Sequence, residues 1–303
     1  LVDTTDEWIR TRTGIEERRI AEDEEASSDL GVRAAQNALD DADISPEAID
    51  LIITPTATPD MFFPSTACVI QDKLGASSCA AFDLSAACSG FIYGISVAHS
   101  QIEAGVAENV LVVAAETLSK ITNWDDRTTC VLFGDGASSV VVSNRPEADK
   151  GLKSIYIKAD GQYQDILNVP AGGSACPINK KVLEENMHYL HMDGKKVFKV
   201  AVRKMGEAAE RAVRRADMEP KDIDYVIAHQ ANLRIIEAVR KRLDVDEEKM
   251  IINLHKYGNT SAASIGIALD EYRREGKIQS GDNILMVAFG GGLTWASCVV
   301  TLP

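Results

Sequence analysis

The chain has 303 residues, 45% hydrophobic and 26% charged, enough to bury one large or two medium cores in an ordinary globular protein. A formal charge of −14 argues against nucleic acid as a partner. No apolar run reaches the ~18 residues that a membrane-spanning helix needs, so no membrane association is expected. Six cysteines stand at positions 68, 79, 88, 130, 176 and 298, none at Cys-x-x-Cys spacing. That reads against a zinc site and toward free thiols in a reducing cytoplasm. The chain opens on Leu1 without Met, and no secretory signal is visible, so a targeting segment ahead of it stays open.

In chain order, apolar residues at helical spacing (Ala34, Ala35, Ala38, Leu39, Ala42) predict a helix, followed by a Pro-containing turn and a short strand at 51–53. A strand over 79–84 runs through Ser85, Ala86 and Ala87 into Cys88, and a helical pattern continues from Phe91 toward Gly105. This arrangement predicts a thiol at a helix N-terminus, where unpaired N–H groups and the positive dipole end favour thiolate. A cysteine alone reads sooner as a small buried hydrophobe. A strand at 110–114 follows, then Phe133-Gly134-Asp135-Gly136 ahead of an apolar run. Residues 161–196 read as an insertion, glycine-rich and irregular, then amphipathic.

The chain repeats itself once. Residues 34–53 and 208–227 align without gaps, with nine of twenty positions identical. Phe289-Gly290-Gly291-Gly292 echoes the earlier glycine turn, and each precedes an apolar strand. Two echoes in the same order predict a tandem α/β duplication, with halves 1–150 and 151–303 joined near 146–153. Strands alternating with helices imply mostly parallel sheets covered by helices, with a site where the halves meet.

The duplicated strands end differently. The first runs into Thr54-Pro55-Thr56, the second into Ala228-His229-Gln230-Ala231-Asn232, with a helix expected over 233–242. His229 is either a satisfied histidine or a functional one at the inter-half crevice. Further on, Tyr257-Gly258-Asn259-Thr260-Ser261 leads from an expected strand at 250–254 into a helix at 262–274. Asn259 or Thr260 reads as an N-cap, or Asn259 reads as an uncharged donor to a developing oxyanion. The triple glycine at 290–292 reads as a tight turn or as backbone that approaches a ligand closely. On the second reading the N–H groups of Gly291 and Cys88 form an oxyanion hole for an acyl thioester.

Together with the opening Val2-Asp3-Thr4-Thr5-Asp6-Glu7-Trp8-Ile9-Arg10-Thr11-Arg12, the stretches 83–91, 229–232, 257–264 and 289–295 resemble those of β-ketoacyl-acyl-carrier-protein synthase III, a thiolase-fold condensing enzyme. The resemblance spans nearly the whole chain in the right order. It implies an α/β, five-layered αβαβα fold of two similar halves. It also implies the initiating condensation of type II fatty acid biosynthesis. An acyl-CoA primer passes to Cys88, and a decarboxylative Claisen condensation with malonyl-acyl-carrier protein follows, helped by His229 and Asn259 and needing no cofactor or metal.

By the same resemblance Trp8, Arg12 and Arg127 contact CoA, with Trp8 and Arg127 sandwiching the adenine. Phe63 reaches into a partner subunit's acyl pocket, which implies a homodimer. Arg234, Lys199, Arg240, Lys241 and Arg242 form a basic surface for the acidic acyl carrier protein. Two departures stand out. The strand and turn that the resemblance implies ahead of Leu1 are absent from this sequence, and Lys195 stands where many relatives have Asn, so contacts there are not carried over. The alternatives are a thiolase with Cys298 as second cysteine, another condensing enzyme of this fold, or a Cys-His-Asn hydrolase.

Overall fold

The computed structural model describes residues 2–145 and 149–303. The Pro146 end of the expected junction therefore lies outside the described residues. The first half comprises α1 (Asp6–Thr13), α2 (Ser27–Ala42), β1 (Leu51–Pro55), α3 (Thr66–Leu74), β2 (Ala80–Leu84), α4 (Gly90–Glu103), β3 (Asn109–Glu116) and β4 (Gly136–Ser143). The chain continues through β5 (Gly151–Ala159), β6 (Leu167–Asn168), α5 (Lys180–Glu184), β7 (His191–Met192), α6 (Gly194–Arg215) and β8 (Tyr225–Ala228). It closes with α7 (Leu233–Leu243), α8 (Leu254–Tyr257), α9 (Ser264–Arg274), β9 (Asn283–Gly290) and β10 (Thr294–Thr301).

Two four-stranded sheets form the frame, in the orders β2-β1-β3-β4 and β5-β10-β9-β8. In the first, β1 runs parallel to β2 and β3, and β4 is antiparallel to β3. In the second, β8 is parallel to β9, while β10 is antiparallel to both β9 and β5. The duplicated strands β1 and β8 thus occupy matching places, each parallel to the long central strand of its sheet.

The apolar runs of β3 and β9 are buried on both faces, and the two-residue period of a strand sorts their side chains into layers. Ile52, Leu111 and Val113 face outward onto α2 and α3 with Ala35, Leu39 and Ile70. Leu51, Ile53, Val110 and Val112 face inward onto Ala98 of α4. In the second sheet Leu285, Val287 and Phe289 face α6 and α7, whereas Ile284, Met286 and Ala288 face α4 and α9. The layers are α2/α3, sheet, α4/α9, sheet, α6/α7: the five-layered αβαβα arrangement. The central helices α4 and α9 both begin beside strand ends, and that places their N-termini at one seam.

One expected strand is missing. Residues 250–254 make a single parallel bridge, Met250 to Val226, before turning into α8. The Gln230 side chain takes the place of a ladder. Its Nε2 donates to the Ala228 and Ile251 carbonyls (2.7 and 3.2 Å), and its Oε1 accepts from the N–H groups of Asn253 and Leu254 (3.0 and 3.1 Å). A buried amide that satisfies four backbone groups releases the segment from strand pairing. The presumed insertion also ends earlier in character than its composition suggests, since α6 already begins at Gly194.

Candidate active site

Cys88 sits in a one-turn 3₁₀ segment, Ala87–Ser89, that leads directly into α4. Gly90 opens that helix against β1, and a Cβ there would lie 2.8 Å from Pro55 Cβ. Ala87 adopts φ +44°, an uncommon conformation for a residue with a side chain. The second half braces the turn. Thr294 Oγ1 donates to the Ala86 carbonyl (2.9 Å), and a Cβ on Gly290 would stand 2.6 Å from the Cys88 nitrogen. Only glycine allows that approach, so the first of the three glycines is a positional requirement that the sequence showed only as part of a run.

The thiol is at a helix start, as expected, but its surroundings disfavour the thiolate. Burial pushes it up to about 12, and the Glu116 carboxylate pushes the same way, against the pull of the Ser261 hydroxyl. Desolvation is the largest cause. Cys88 is half-buried, with its open side on the cavity.

His229 continues β8 by one residue, its N–H donating to the Val287 carbonyl (2.8 Å). The ring is buried, and burial lowers its proton affinity to about 4. Its Nδ1 lies 2.7 Å from Oγ of Ser264, the first residue of α9, which also accepts from the Gln230 N–H (3.3 Å). In the tautomer in which Ser264 donates to Nδ1, the imidazole proton is on Nε2.

Asn259 is a buried residue between α8 and α9, not an N-cap of a helix. Its N–H donates to the Leu132 carbonyl (2.9 Å), its carbonyl accepts from the Gly134 N–H (3.0 Å), and its Oδ1 accepts from the Ser261 N–H (2.9 Å). The acceptor end is thereby occupied, and Nδ2 remains to donate. The two backbone bonds stitch the halves together at this residue.

Cys88, His229, Asn259, Ser261 and Gly291 all line one cavity of about 280 Å³. Its walls are apolar: Leu118, Ile121, Leu190, Phe198, Met205 and Ile235 are among them. Leu190 and Met192 come from the insertion and Phe198 from the start of α6, contributions that the irregular sequence did not disclose. Glu116, at the end of β3, and Ser261 were also missed, although an acid closing an apolar strand is a visible signal.

Trp8, Arg12 and Arg127 come together. The Thr5 side chain caps α1 by accepting from the Trp8 N–H (3.1 Å), and the guanidinium carbons of Arg127 and Arg12 lie 5.3 and 5.9 Å from the Trp8 ring. Arg127 rests against the indole and donates to the Asp3 carbonyl (2.8 Å), so a purine would have to enter by displacing it. Asn232 Nδ2 donates to the Arg12 carbonyl (3.3 Å), which ties α1 to the cavity wall.

Phe63 is not a core residue. It is 85% exposed beside the equally open Phe62, and it lies outside the cavity of its own chain. The basic surface is partly neutralised. Glu237 chelates Arg240 and pairs with Lys241, and Glu210 holds Arg242 at 2.7 Å. Among the described residues, Arg234 and Lys199 have no ion pair. Cys298 is fully buried in β10, opposite Met286 and away from the cavity lining, which removes it as a second catalytic cysteine. Among the described residues no cluster of His, Cys, Asp and Glu could hold a metal, all six cysteines are free, and no helix is long and apolar enough to cross a membrane.

Residues 82–161 match the family described as 3-oxoacyl-[acyl-carrier-protein] synthase III, and residues 213–302 match its C-terminal part. The chain is 56% identical to the beta-ketoacyl-[acyl-carrier-protein] synthase III of Caldanaerobacter subterraneus subsp. tengcongensis, over 99% of this chain and 90% of that protein. Identity to the protein of the same name from Clostridioides difficile is 54%, over 99% and 91%. The crystal structure of 3-oxoacyl-[acyl-carrier-protein] synthase III from Aquifex aeolicus superposes with a TM-score of 0.91 at 48% identity, covering 99% of this chain and 92% of that one.

Proposed function

The chain belongs to the β-ketoacyl-acyl-carrier-protein synthase III family, and from that premise we propose how its own residues carry out the initiating condensation of type II fatty acid synthesis. The enzyme is an acyltransferase that condenses acyl-CoA with malonyl-acyl-carrier protein. Cys88 is the nucleophile. Its sulfur attacks the acyl-CoA thioester carbonyl, and CoA leaves as thiolate. The N–H groups of Cys88 and Gly291 hold the oxyanion of each tetrahedral intermediate. Malonyl thioester then loses CO2, and Nε2–H of His229 and Nδ2–H of Asn259 donate to the enolate oxygen. The enolate carbon attacks the acyl-enzyme and expels the Cys88 thiolate, which leaves a β-ketoacyl product two carbons longer.

The observation that carries this reading is the convergence of Cys88 from the first half and His229 and Asn259 from the second on one apolar cavity. A neutral histidine suits it. An imidazole near 4 stays uncharged at neutral pH, donates without protonating the enolate, and matches decarboxylation better than the acid–base pair that a hydrolase needs. The steps require no metal or redox group, since loss of CO2 supplies the driving force.

Trp8, Arg12 and Arg127 are the proposed CoA contacts, with Arg127 swinging out to let the adenine stack on the indole. Arg234 and Lys199 are the strongest docking candidates for acyl carrier protein, because their charges are not already spent. Arg240, Lys241 and Arg242 contribute less. Phe63 is proposed to close the acyl pocket of a second copy in a homodimer. The two halves, 1–150 and 151–303, are read as copies of one ancestral unit, and the cytoplasm is the proposed compartment.

The test separates the two chemical steps. Cys88→Ser should fold and fail to take up an acyl group from acyl-CoA. His229→Ala should become acylated yet fail to decarboxylate malonyl-acyl-carrier protein. Intact mass reports the first step and CO2 release the second; loss of both steps in His229→Ala would show that its role has been misassigned.

A further inference from the structure

The steps above leave one motif of the sequence unused, Phe133-Gly134-Asp135-Gly136. Asp135 is buried where three segments distant in sequence meet. Its Oδ2 accepts from the Ala21 N–H (2.8 Å) and the Ser119 hydroxyl (2.5 Å), and its Oδ1 accepts from the Ser119 N–H (2.8 Å). Its own N–H donates to the Arg19 carbonyl (2.7 Å). On one side, Ser119 belongs to the short 3₁₀ segment Leu118–Ile121, whose Leu118 and Ile121 wall the cavity. On the other side, Phe133 makes a parallel bridge with Asn259. The Leu132 carbonyl accepts from the Asn259 N–H (2.9 Å), and the Gly134 N–H donates to the Asn259 carbonyl (3.0 Å). We propose that Asp135 is a positioning residue for both parts of the site: through Ser119 it fixes one wall of the cavity, and through the backbone of 132–134 it fixes Asn259.

This role rests on the condensation reading, and it accounts for geometry that the reading takes as given. A 3₁₀ segment this short closes few bonds of its own, so its placement comes from its partners. The hydroxyl and the N–H of Ser119 both end on the Asp135 carboxyl group. The Trp124 indole donates to the Ser119 carbonyl (3.2 Å), and the Leu190 N–H donates to the Ile121 carbonyl (2.8 Å). On the Asn259 side the fit is tight, since a Cβ on Gly134 would stand 2.5 Å from the Tyr257 carbonyl oxygen. Asn259 Oδ1 is held by the Ser261 N–H (2.9 Å), so the direction of Nδ2 follows the backbone that 132–134 hold. A shift of about 1 Å in such a donor can cost on the order of a hundredfold in rate.

Asp135 does not line the cavity, so a substitution there touches no substrate. Asparagine has the same shape but one acceptor oxygen where aspartate has two. Whichever way the amide turns, one backbone N–H, of Ala21 or of Ser119, faces an NH2 group and loses its acceptor. Asp135→Asn therefore loosens both arms without emptying space. Ser119→Ala removes one hydroxyl and leaves both backbone donors to Asp135 in place. It loosens the cavity wall and leaves Asn259 as it is.

The test follows acyl uptake from acetyl-CoA and from hexanoyl-CoA by intact mass, and CO2 release from malonyl-acyl-carrier protein. Amide hydrogen exchange of the unliganded protein is read by mass in peptides covering 118–122 and 257–261. Asp135→Asn is expected to keep acetyl uptake within about threefold, to lower CO2 release about tenfold or more, and to change the hexanoyl-to-acetyl ratio about fivefold or more. Exchange should quicken in both peptides and not in α4. Ser119→Ala should change the primer ratio and leave CO2 release within about twofold. Added to Asn259→Ala, Asp135→Asn should lower CO2 release by no more than about twofold further, because it acts through that residue. Unchanged CO2 release, a proportional loss of every activity, faster exchange throughout the chain or a fully multiplicative loss in the double variant overturns the assignment. Should Asp135→Asn not fold, Ser119→Ala decides, and an unchanged primer ratio with unchanged exchange at 118–122 overturns it. A wild type that takes up no acyl group sinks the condensation reading instead, and the exchange pattern still decides whether Asp135 holds both segments.

Discussion

His229 shows how burial sets chemistry and stability with the same side chain. The enclosing protein lowers its proton affinity from 6.5 to about 4, so the folded protein holds a neutral imidazole where the unfolded chain would hold a charged one below 6.5. The unfolded state therefore binds more protons between those values, and stability rises with pH through that window. The contribution is complete above pH 6.5 and is lost as pH falls toward 4, with a slope of up to about 1.4 kcal/mol per pH unit from this residue. His229→Gln is expected to flatten that part of the urea-denaturation profile between pH 6.5 and 4 and leave stability at pH 7.5 little changed. An equally steep profile in the variant would mean that other groups dominate acid sensitivity. At this scale the sequence was legible for residues whose neighbours repeat a pattern: Cys88, His229 and Asn259 each stood at the end of a strand or the start of a helix. Their supporting atoms were not legible. Ser264 lies 35 residues from His229 within the same half, and Ser261 meets Cys88 at one cavity only because the halves come together; no local pattern joins either pair.

At the scale of elements, the site depends on how closely α4 lies on the first sheet. Gly94 permits that approach, since a Cβ there would meet Val112 Cγ1 at 2.7 Å and Pro55 Cγ at 3.0 Å. Both are buried in a packed layer that cannot give way freely. Gly94→Ala should destabilise the protein by a net of up to ~2 kcal/mol, because overpacking of about 1–3 kcal/mol at so close a contact exceeds the ~1 kcal/mol that alanine gains in a helix. It should also slow alkylation of Cys88, which sits in the turn leading into the same helix. Gly161→Ala, whose Cβ would meet nothing within 4 Å, is the matched control and should stay within about 0.5 kcal/mol in the same urea melts. Stability unchanged in Gly94→Ala would show that the helix shifts at no cost. Long apolar strands such as β3 and β9 were legible because burial on both faces leaves an unbroken hydrophobic run. The short apolar stretch at 250–254 carried the same signal and yet forms no strand, because Gln230 satisfies its backbone by side chain. A local pattern cannot reveal a competitor 20 residues away. The insertion was legible as an insertion, but its lack of periodicity hid which of its residues line the cavity.

For the whole molecule, the charge of −14 and the exposed apolar loop after β1 pull in different directions. Net repulsion keeps copies apart, while Met61, Phe62 and Phe63 present an apolar surface that water disfavours, with the two phenylalanines 83% and 85% exposed. Singly exposed hydrophobes are ordinary, but three in a row on one loop are not. Burying two phenylalanine side chains against a second copy is worth about 3–6 kcal/mol before the costs of association. If Phe63 also enters the partner's acyl cavity, the loop links assembly to activity. The double variant Phe62→Glu, Phe63→Glu should therefore shift the protein from dimer to monomer in light scattering at micromolar concentration, and acyl transfer should fall together with the dimer fraction. Phe63→Ala alone should keep the dimer largely intact while changing the relative rates with short and long acyl-CoA primers, because it empties space at the end of the cavity. A wild-type protein that is monomeric under these conditions, or a double variant that stays dimeric with unchanged primer preference, would detach this loop from both roles. The outcome bears on specificity, since the cavity walls from one chain are apolar but open, and whichever side chain closes them sets the longest primer the enzyme accepts.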